Sequence, residues 1–146
     1  MSRHASRQKI ARDFGATHIV EERGEDGVAK VKELTDGIGA DCVLECVGTE
    51  SAILQAMQCT RPGGQMSWVG LPHIEQLPQE HMFWKNVGIR GGVAPVREYL
   101  PTLLPKVLSR EIEPGKVFDL ELPLSDVAQA YKAMDERRAI KVLLRP

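Results

Sequence analysis

The sequence predicts an α/β fold: a doubly wound parallel sheet followed by a closing strand–helix–strand segment. Three observations lead there. Ala40–Gly48 (ADCVLECVG) and Gly63–Pro72 (GGQMSWVGLP) are short apolar runs that reach a glycine and are bounded by turn residues, the pattern of parallel strands covered on both faces. The interval Thr49–Pro62 has room for one crossover helix with its loops, so the pair reads as a βαβ unit. In open sheets of this kind ligands lie beyond the carboxyl ends of the strands, where a glycine lets a flat or charged group approach the backbone. Gly48 and Gly70 are thereby placed at a site.

Taken in order, Met1–Arg3 reads as the tail of a strand. A helix from Ala5 to Phe14 follows, with Ile10 and Phe14 four apart, Arg7, Lys9 and Arg12 on the other face, and Gly15 as the stop. Thr17–Glu21 (THIVE) is a short β-rich run. A polar turn through Gly24 leads to a helix with Val28, Val31 and Leu34 spaced by three, ended by Asp36 and Gly37. After the strand Ala40–Val47, Thr49 suits a helix cap and Glu50 the first turn; Ile53, Leu54 and Met57 form the buried stripe, and Arg61 and Pro62 end it. The strand Gln65–Val69 comes next, then an irregular section with Pro72 and Pro78 and a short strand at Val87–Gly91.

Val96–Leu108 has helical spacing at Leu100, Leu103, Leu104 and Val107, but Pro101 and Pro105 interrupt it. A proline inside a helix costs about 3 kcal/mol, which predicts two short pieces or a kink. Phe118–Leu122 alternates as a strand. Ser125 suits the cap of a helix presenting Val127, Ala130, Tyr131 and Met134, and Ile140–Leu144 is a final strand.

At 146 residues the chain holds one domain with a substantial core and falls short of two full ones. A 42% apolar content with a net charge of -1, and no strong basic cluster, gives no nucleic-acid signature. No apolar run approaches a bilayer span and Met1–Gly15 lacks the apolar core of a signal peptide, so a cytoplasmic location is expected. Three cysteines point to reduced thiols. Cys42 and Cys46 on one strand would stand roughly 13 Å apart, too far to share a zinc, so core thiols are expected instead. His4, His18, His73 and His81 show no ligand-like spacing, and no metal ligand is predicted.

The strings FGATHIV (Phe14–Val20), DGIGADCVLECVG (Asp36–Gly48), RPGGQMSWVG (Arg61–Gly70) and NVGIRGG (Asn86–Gly92), with the close DLELPLSDVAQAYKAMDERRAIKVLLRP, follow one another at set intervals. Together they resemble the C-terminal half of the medium-chain dehydrogenase/reductase family, its zinc-type alcohol dehydrogenases in particular. The resemblance implies an incomplete Rossmann-like, NADP-binding domain at 1–112 and a returning segment of the catalytic domain at 113–146. The family's zinc ligands, proton relay, central first strand and glycine-rich turn have no counterpart here. The chain is therefore expected to be a fragment of a longer one, or else a truncated product that rearranges or recruits a partner strand; either is expected to be inactive alone, with zinc only on the missing half and no catalytic residue in this one.

Enzymes of this class that prefer NAD carry an acidic residue at the end of the second strand. The corresponding place here is Ser2, followed by Arg3, with Arg7 a helical turn further on. A hydroxyl and a guanidinium suit a 2′-phosphate that a carboxylate would repel, so NADP is expected over NAD. The resemblance places Cys46, Val47 and Gly48 against the ribose and adenine side. It places Val69, Gly70 and Leu71 at the nicotinamide carboxamide, Gly91, Gly92 and Val93 near the nicotinamide, and Lys141 near the pyrophosphate. It implies hydride transfer between NADP(H) and an alcohol or carbonyl, and a homodimer through the 87–91 strand. Two other readings stay open: a non-catalytic nucleotide-binding or dimerising remnant, and a Rossmann-like methyltransferase, which the closing segment and Ser2 fit poorly.

Overall fold

A computed structural model describes residues 4–146. The chain runs α1 (Ala5–Asp13), α2 (Gly24–Glu33), β1 (Ala40–Glu45), α3 (Glu50–Cys59), β2 (Thr60–Trp68), α4 (Gln79–Lys85), β3 (Gly88–Gly91), α5 (Val96–Leu108), β4 (Leu120–Pro123), α6 (Val127–Asp135) and β5 (Val142–Arg145). Two short 3-10 turns, at Pro114–Val117 and Leu124–Asp126, flank β4. The described residues fall into two compact units: one holds His18–Ala94, the other residues 4–17 and Pro95–Pro146.

In the first unit β1, β2 and β3 form a parallel sheet in that order. The expected βαβ unit is present as β1–α3–β2, and α4 carries the chain from β2 to β3. Thr49 caps α3, its hydroxyl accepting from the Ala52 N–H at 3.4 Å. Ile53 and Met57 of the expected stripe are buried, together with Ala56, while Leu54 is only half-buried. They pack with Met66 of β2 and Val87, and Val43, Trp68, Met82 and Ile89 close the cluster. Each fully buried large side chain there is worth about 1.5–3 kcal/mol.

β2 begins earlier than its apolar pattern suggests. Ala40 pairs with Thr60 and Cys42 with Gln65, so β1 advances two residues while β2 advances five. α3 ends at Cys59, just before Arg61 and Pro62 as expected, and Arg61–Gly64 then forms a bulge inside the ladder. Pro62 has no N–H to give the ladder, Gly63 takes φ +70°, and Arg61 forms an ion pair with Asp41 across the bulge.

Other expectations are corrected. Thr17–Glu21 carries no strand among the described residues; β propensity favours a strand only where a ladder forms. Cys42 and Cys46 are exposed and only Cys59 is buried, because β1 edges the described sheet and packs with Val43 and Glu45 while Cys42 and Leu44 face away. The supposed irregular section contains α4, whose apolar residues Met82, Phe83 and Trp84 are contiguous and give no helical period; Asn86, at φ +51°, ends it. Of the two outcomes expected for Val96–Leu108, two separate pieces are not formed, since α5 is one helix through Pro101 and Pro105.

The second unit carries the closing strand–helix–strand: β4 and β5 pair in parallel, from Leu120 with Val142 to Pro123 with Arg145, and α6 joins them. Ala130, Ala133, Ala139 and Val142 form its buried core. Of the face expected on α6, Ala130 is buried and Met134 packs beside it, whereas Tyr131 stays exposed. Asp126, not Ser125, holds the N-cap position, with no side-chain cap bond. Glu121 and Arg145 form a two-bond ion pair across the ladder, at 2.8 and 3.1 Å. Among the described residues no helix is long and apolar enough to cross a membrane.

Candidate functional site

Parallel pairing puts the carboxyl ends of β1, β2 and β3 at one edge. Glu45, Trp68 and Gly91 stand in one row across the sheet, so the three turns that follow, at Cys46–Gly48, Val69–Leu71 and Gly91–Val93, share that edge. Four apolar side chains there are open to solvent: Val47 at 68%, Val69 at 65%, Leu71 at 75% and Val93 at 99% exposure. The edge is an apolar ledge floored by backbone, the form of surface that a flat heteroaromatic ring covers. The Trp68 indole N–H, buried in the same row, has no partner among the described residues, and such a donor ordinarily finds a water or ligand acceptor.

The glycines are required by contact. Gly48 has φ +87°, and a Cβ on it would lie 2.0 Å from the Leu71 carbonyl oxygen. A Cβ on Gly70 would lie 2.9 Å from the Gly48 nitrogen and 3.0 Å from the Cys46 carbonyl carbon. The first two turns are therefore pressed backbone to backbone, and the His73 N–H bonds to the Gly48 carbonyl at 2.7 Å. Gly91, at φ +140°, lies against the Trp68 backbone, while Gly92, at φ +144°, has open space around it.

The residue that organises this edge was not singled out in the sequence. Glu45 is 3% exposed. Its carboxylate accepts the N–H of Val47 at 2.7 Å and that of Gly48 at 2.9 and 3.1 Å. Its carbonyl oxygen accepts Val69 N–H at 2.7 Å and Gly70 N–H at 3.1 Å. The available signal was a lone charge inside an apolar strand run, LECVG, since a buried charge must find bonding partners.

The remaining candidates fall elsewhere. Ser2 and Arg3 lie outside the described residues. Arg7, on α1, and Lys141, before β5, are exposed residues of the second unit. Lys141 is fixed by its backbone, whose N–H bonds to the Asp119 carboxylate at 3.2 Å. A cavity of about 470 Å³ near the same sheet edge is walled by Glu50, Pro72, His73, Ile74 and Glu75; its two carboxylates do not suit a phosphate.

Among the described residues no three His, Cys, Asp or Glu side chains converge as a metal site would require. These residues do not fit a zinc ion.

Residues 1–109 match the family model described as zinc-binding dehydrogenase. The chain is 33% identical over 143 residues to zinc-type alcohol dehydrogenase B of Aspergillus flavus, with 96% of this chain and 33% of the relative covered. It is 32% identical over 149 residues to a sorbitol dehydrogenase of Halalkalibacterium halodurans, covering all of this chain and 43% of that one. Among solved structures, an alcohol dehydrogenase from Thermus sp. ATN1 matches with a TM-score of 0.90 at 31% identity, over 99% of this chain and 42% of that chain. The chain thus spans about a third to two fifths of the length of these relatives. On the family match and these identities, the chain is a member of the zinc-binding dehydrogenase family, and its α/β sheet is that family's coenzyme-domain fold.

Proposed function

We propose that this chain is the cofactor-binding portion of a zinc-type alcohol dehydrogenase, that its ligand is a nicotinamide dinucleotide, and that NADP(H) is preferred to NAD(H). The observation that carries the reading is the shared edge of three parallel strand ends, where exposed Val47, Val69, Leu71 and Val93 adjoin glycine-lined backbone. When bound, the dinucleotide supplies hydride transfer. The chain's own residues bind and orient it. Cys46, Val47 and Gly48 meet the adenosine side through backbone and apolar contact, Val69, Gly70 and Leu71 hold the carboxamide end, and Gly91, Gly92 and Val93 flank the nicotinamide. The preference for a 2′-phosphate is assigned to Ser2 and Arg3, with Arg7 assisting, and Lys141 is assigned to the pyrophosphate. The alcohol or carbonyl substrate and the metal-assisted step belong to the whole enzyme, and this chain alone is inactive. A homodimer through the free edge of β3 belongs to the same reading.

Fluorescence titration of the chain with NADPH and NADH tests it. Micromolar or weaker binding with NADPH ahead is expected. Absence of binding to either would sink the cofactor role, and equal affinity would remove the one given to Ser2 and Arg3. Arg3→Asp should weaken NADPH binding by about tenfold or more while changing NADH binding little, since a lost charge-assisted contact is worth about 1.5–3 kcal/mol.

A further inference from the structure

We propose that Glu45 is the positioning residue of the cofactor edge, an inference that rests on the cofactor reading above. Glu45 ends β1 and is 3% exposed, yet its carboxylate turns back onto the following turn and takes the Val47 and Gly48 N–H groups at 2.7 to 3.1 Å. The same residue's carbonyl takes the Val69 and Gly70 N–H groups at 2.7 and 3.1 Å. One residue thereby fixes the conformation of the first turn and its offset from the second. Gly48 then presses on Leu71, and Gly70 on Cys46 and Gly48, with no space for a Cβ.

Two consequences follow for a ligand. The Val47 and Gly48 amides are already engaged by an anion, so this turn is not a phosphate cradle. What it offers is Val47, the carbonyl side of the turn and negative charge beneath it, which suits an uncharged, hydrogen-bond-donating part of the ligand. The turn is also held before the ligand arrives, so binding does not have to order it. Glu45 itself touches no ligand and acts through Val47 and Gly48.

The test compares the full chain with Glu45→Gln and Glu45→Asp. Glutamine is nearly isosteric but puts an NH2 where an acceptor is needed; aspartate keeps the charge on a shorter arm. Affinity for NADPH and NADH is read by fluorescence under conditions where urea titration shows each protein folded, and amide hydrogen exchange is read by NMR. Glu45→Gln is expected to weaken both cofactors by about tenfold or more, the loss of a charged acceptor, and to speed exchange at Val47 and Gly48 while Met66 and Ile89 keep their protection. Glu45→Asp should restore part of both. If the folded variants bind like wild type, or if exchange rises evenly across the sheet, Glu45 is a fold-stabilising residue only and the proposal falls. Should Glu45→Gln fail to fold, Glu45→Asp alone decides by the same two readouts. Failure of the parent cofactor reading would be seen separately, as absence of binding by the unaltered chain, and would take this proposal with it.

Discussion

Gly48 and Gly92 separate two costs that a glycine substitution can carry. Both have positive φ, at +87° and +144°, but only Gly48 faces a blocking atom, the Leu71 carbonyl oxygen 2.0 Å from the place of a Cβ. Backbone strain alone costs about 1–3 kcal/mol, and the clash adds the work of parting two packed turns. Gly48→Ala should therefore lower stability by about 3 kcal/mol or more and Gly92→Ala by about 1–2 kcal/mol; urea unfolding of both variants checks the order. Cys59 makes a pH prediction at the same scale. It is 4% exposed, and burial pushes its thiol above the usual range, with the charges of Lys85 and Lys32 pulling the other way. A group raised in this way is neutral in the fold while the unfolded chain ionises, so its stabilising effect is whole below the unfolded value and is lost as pH rises past it. Lys85 slopes oppositely: burial and then Lys32 lower its pKa, so its charge costs stability at neutral pH and the cost fades as pH climbs toward the ordinary lysine value. The substitution isolates the thiol: Cys59→Ala should lose less stability than wild type between about pH 8 and pH 10, and parallel curves would refute it. At this scale the sequence marked glycines but not their reasons. Gly70 needs to be glycine because of the Gly48 backbone, a neighbour 22 positions away that no local pattern announces.

Elements were legible where periodicity was strong and hidden where a short or interrupted segment depended on its neighbours. α3, with its Thr49 cap, and the pair β1 and β2 follow from pattern; α4, seven residues with contiguous apolar side chains, does not. Arg61 and Pro62 follow the end of α3 as the pattern implies, but that they also make a ladder bulge with Gly63 and Gly64 is not legible from the string. In α5 the expected division into two pieces does not occur. Pro101 removes the N–H that would reach the Arg97 carbonyl, and Pro105 the one that would reach Pro101, but the helix is continuous over 13 residues. The prolines are four apart, so both missing bonds lie on one side of the helix and the remaining ones hold the other. Restoring the N–H should help: Pro101→Ala or Pro105→Ala is expected to raise stability by about 1–3 kcal/mol, read as a higher urea midpoint. A lowered midpoint would show that the prolines are better placed than the hydrogen-bond pattern implies.

For the whole molecule, the open edges of the described sheet are informative. β3, like β1, is an edge of the described sheet, and an open edge is a template for pairing. Sedimentation equilibrium at micromolar concentration is expected to return twice the chain mass, and a monomer there would remove the dimer from the proposed function. The sequence by itself determined the α/β class, the order of its principal strands and helices, the family, and the three turns that the sheet carries at its carboxyl edge. These are set by local periodicity and by turn residues, which act over a few positions. Only the tertiary structure decided that Glu45 bridges two of those turns, that Gly48 and Gly70 touch, and that Cys42 faces outward while Cys59 is enclosed. Those outcomes depend on which strand lies beside which and in what register, a matter of contacts between residues distant along the chain, and local pattern carries no record of them.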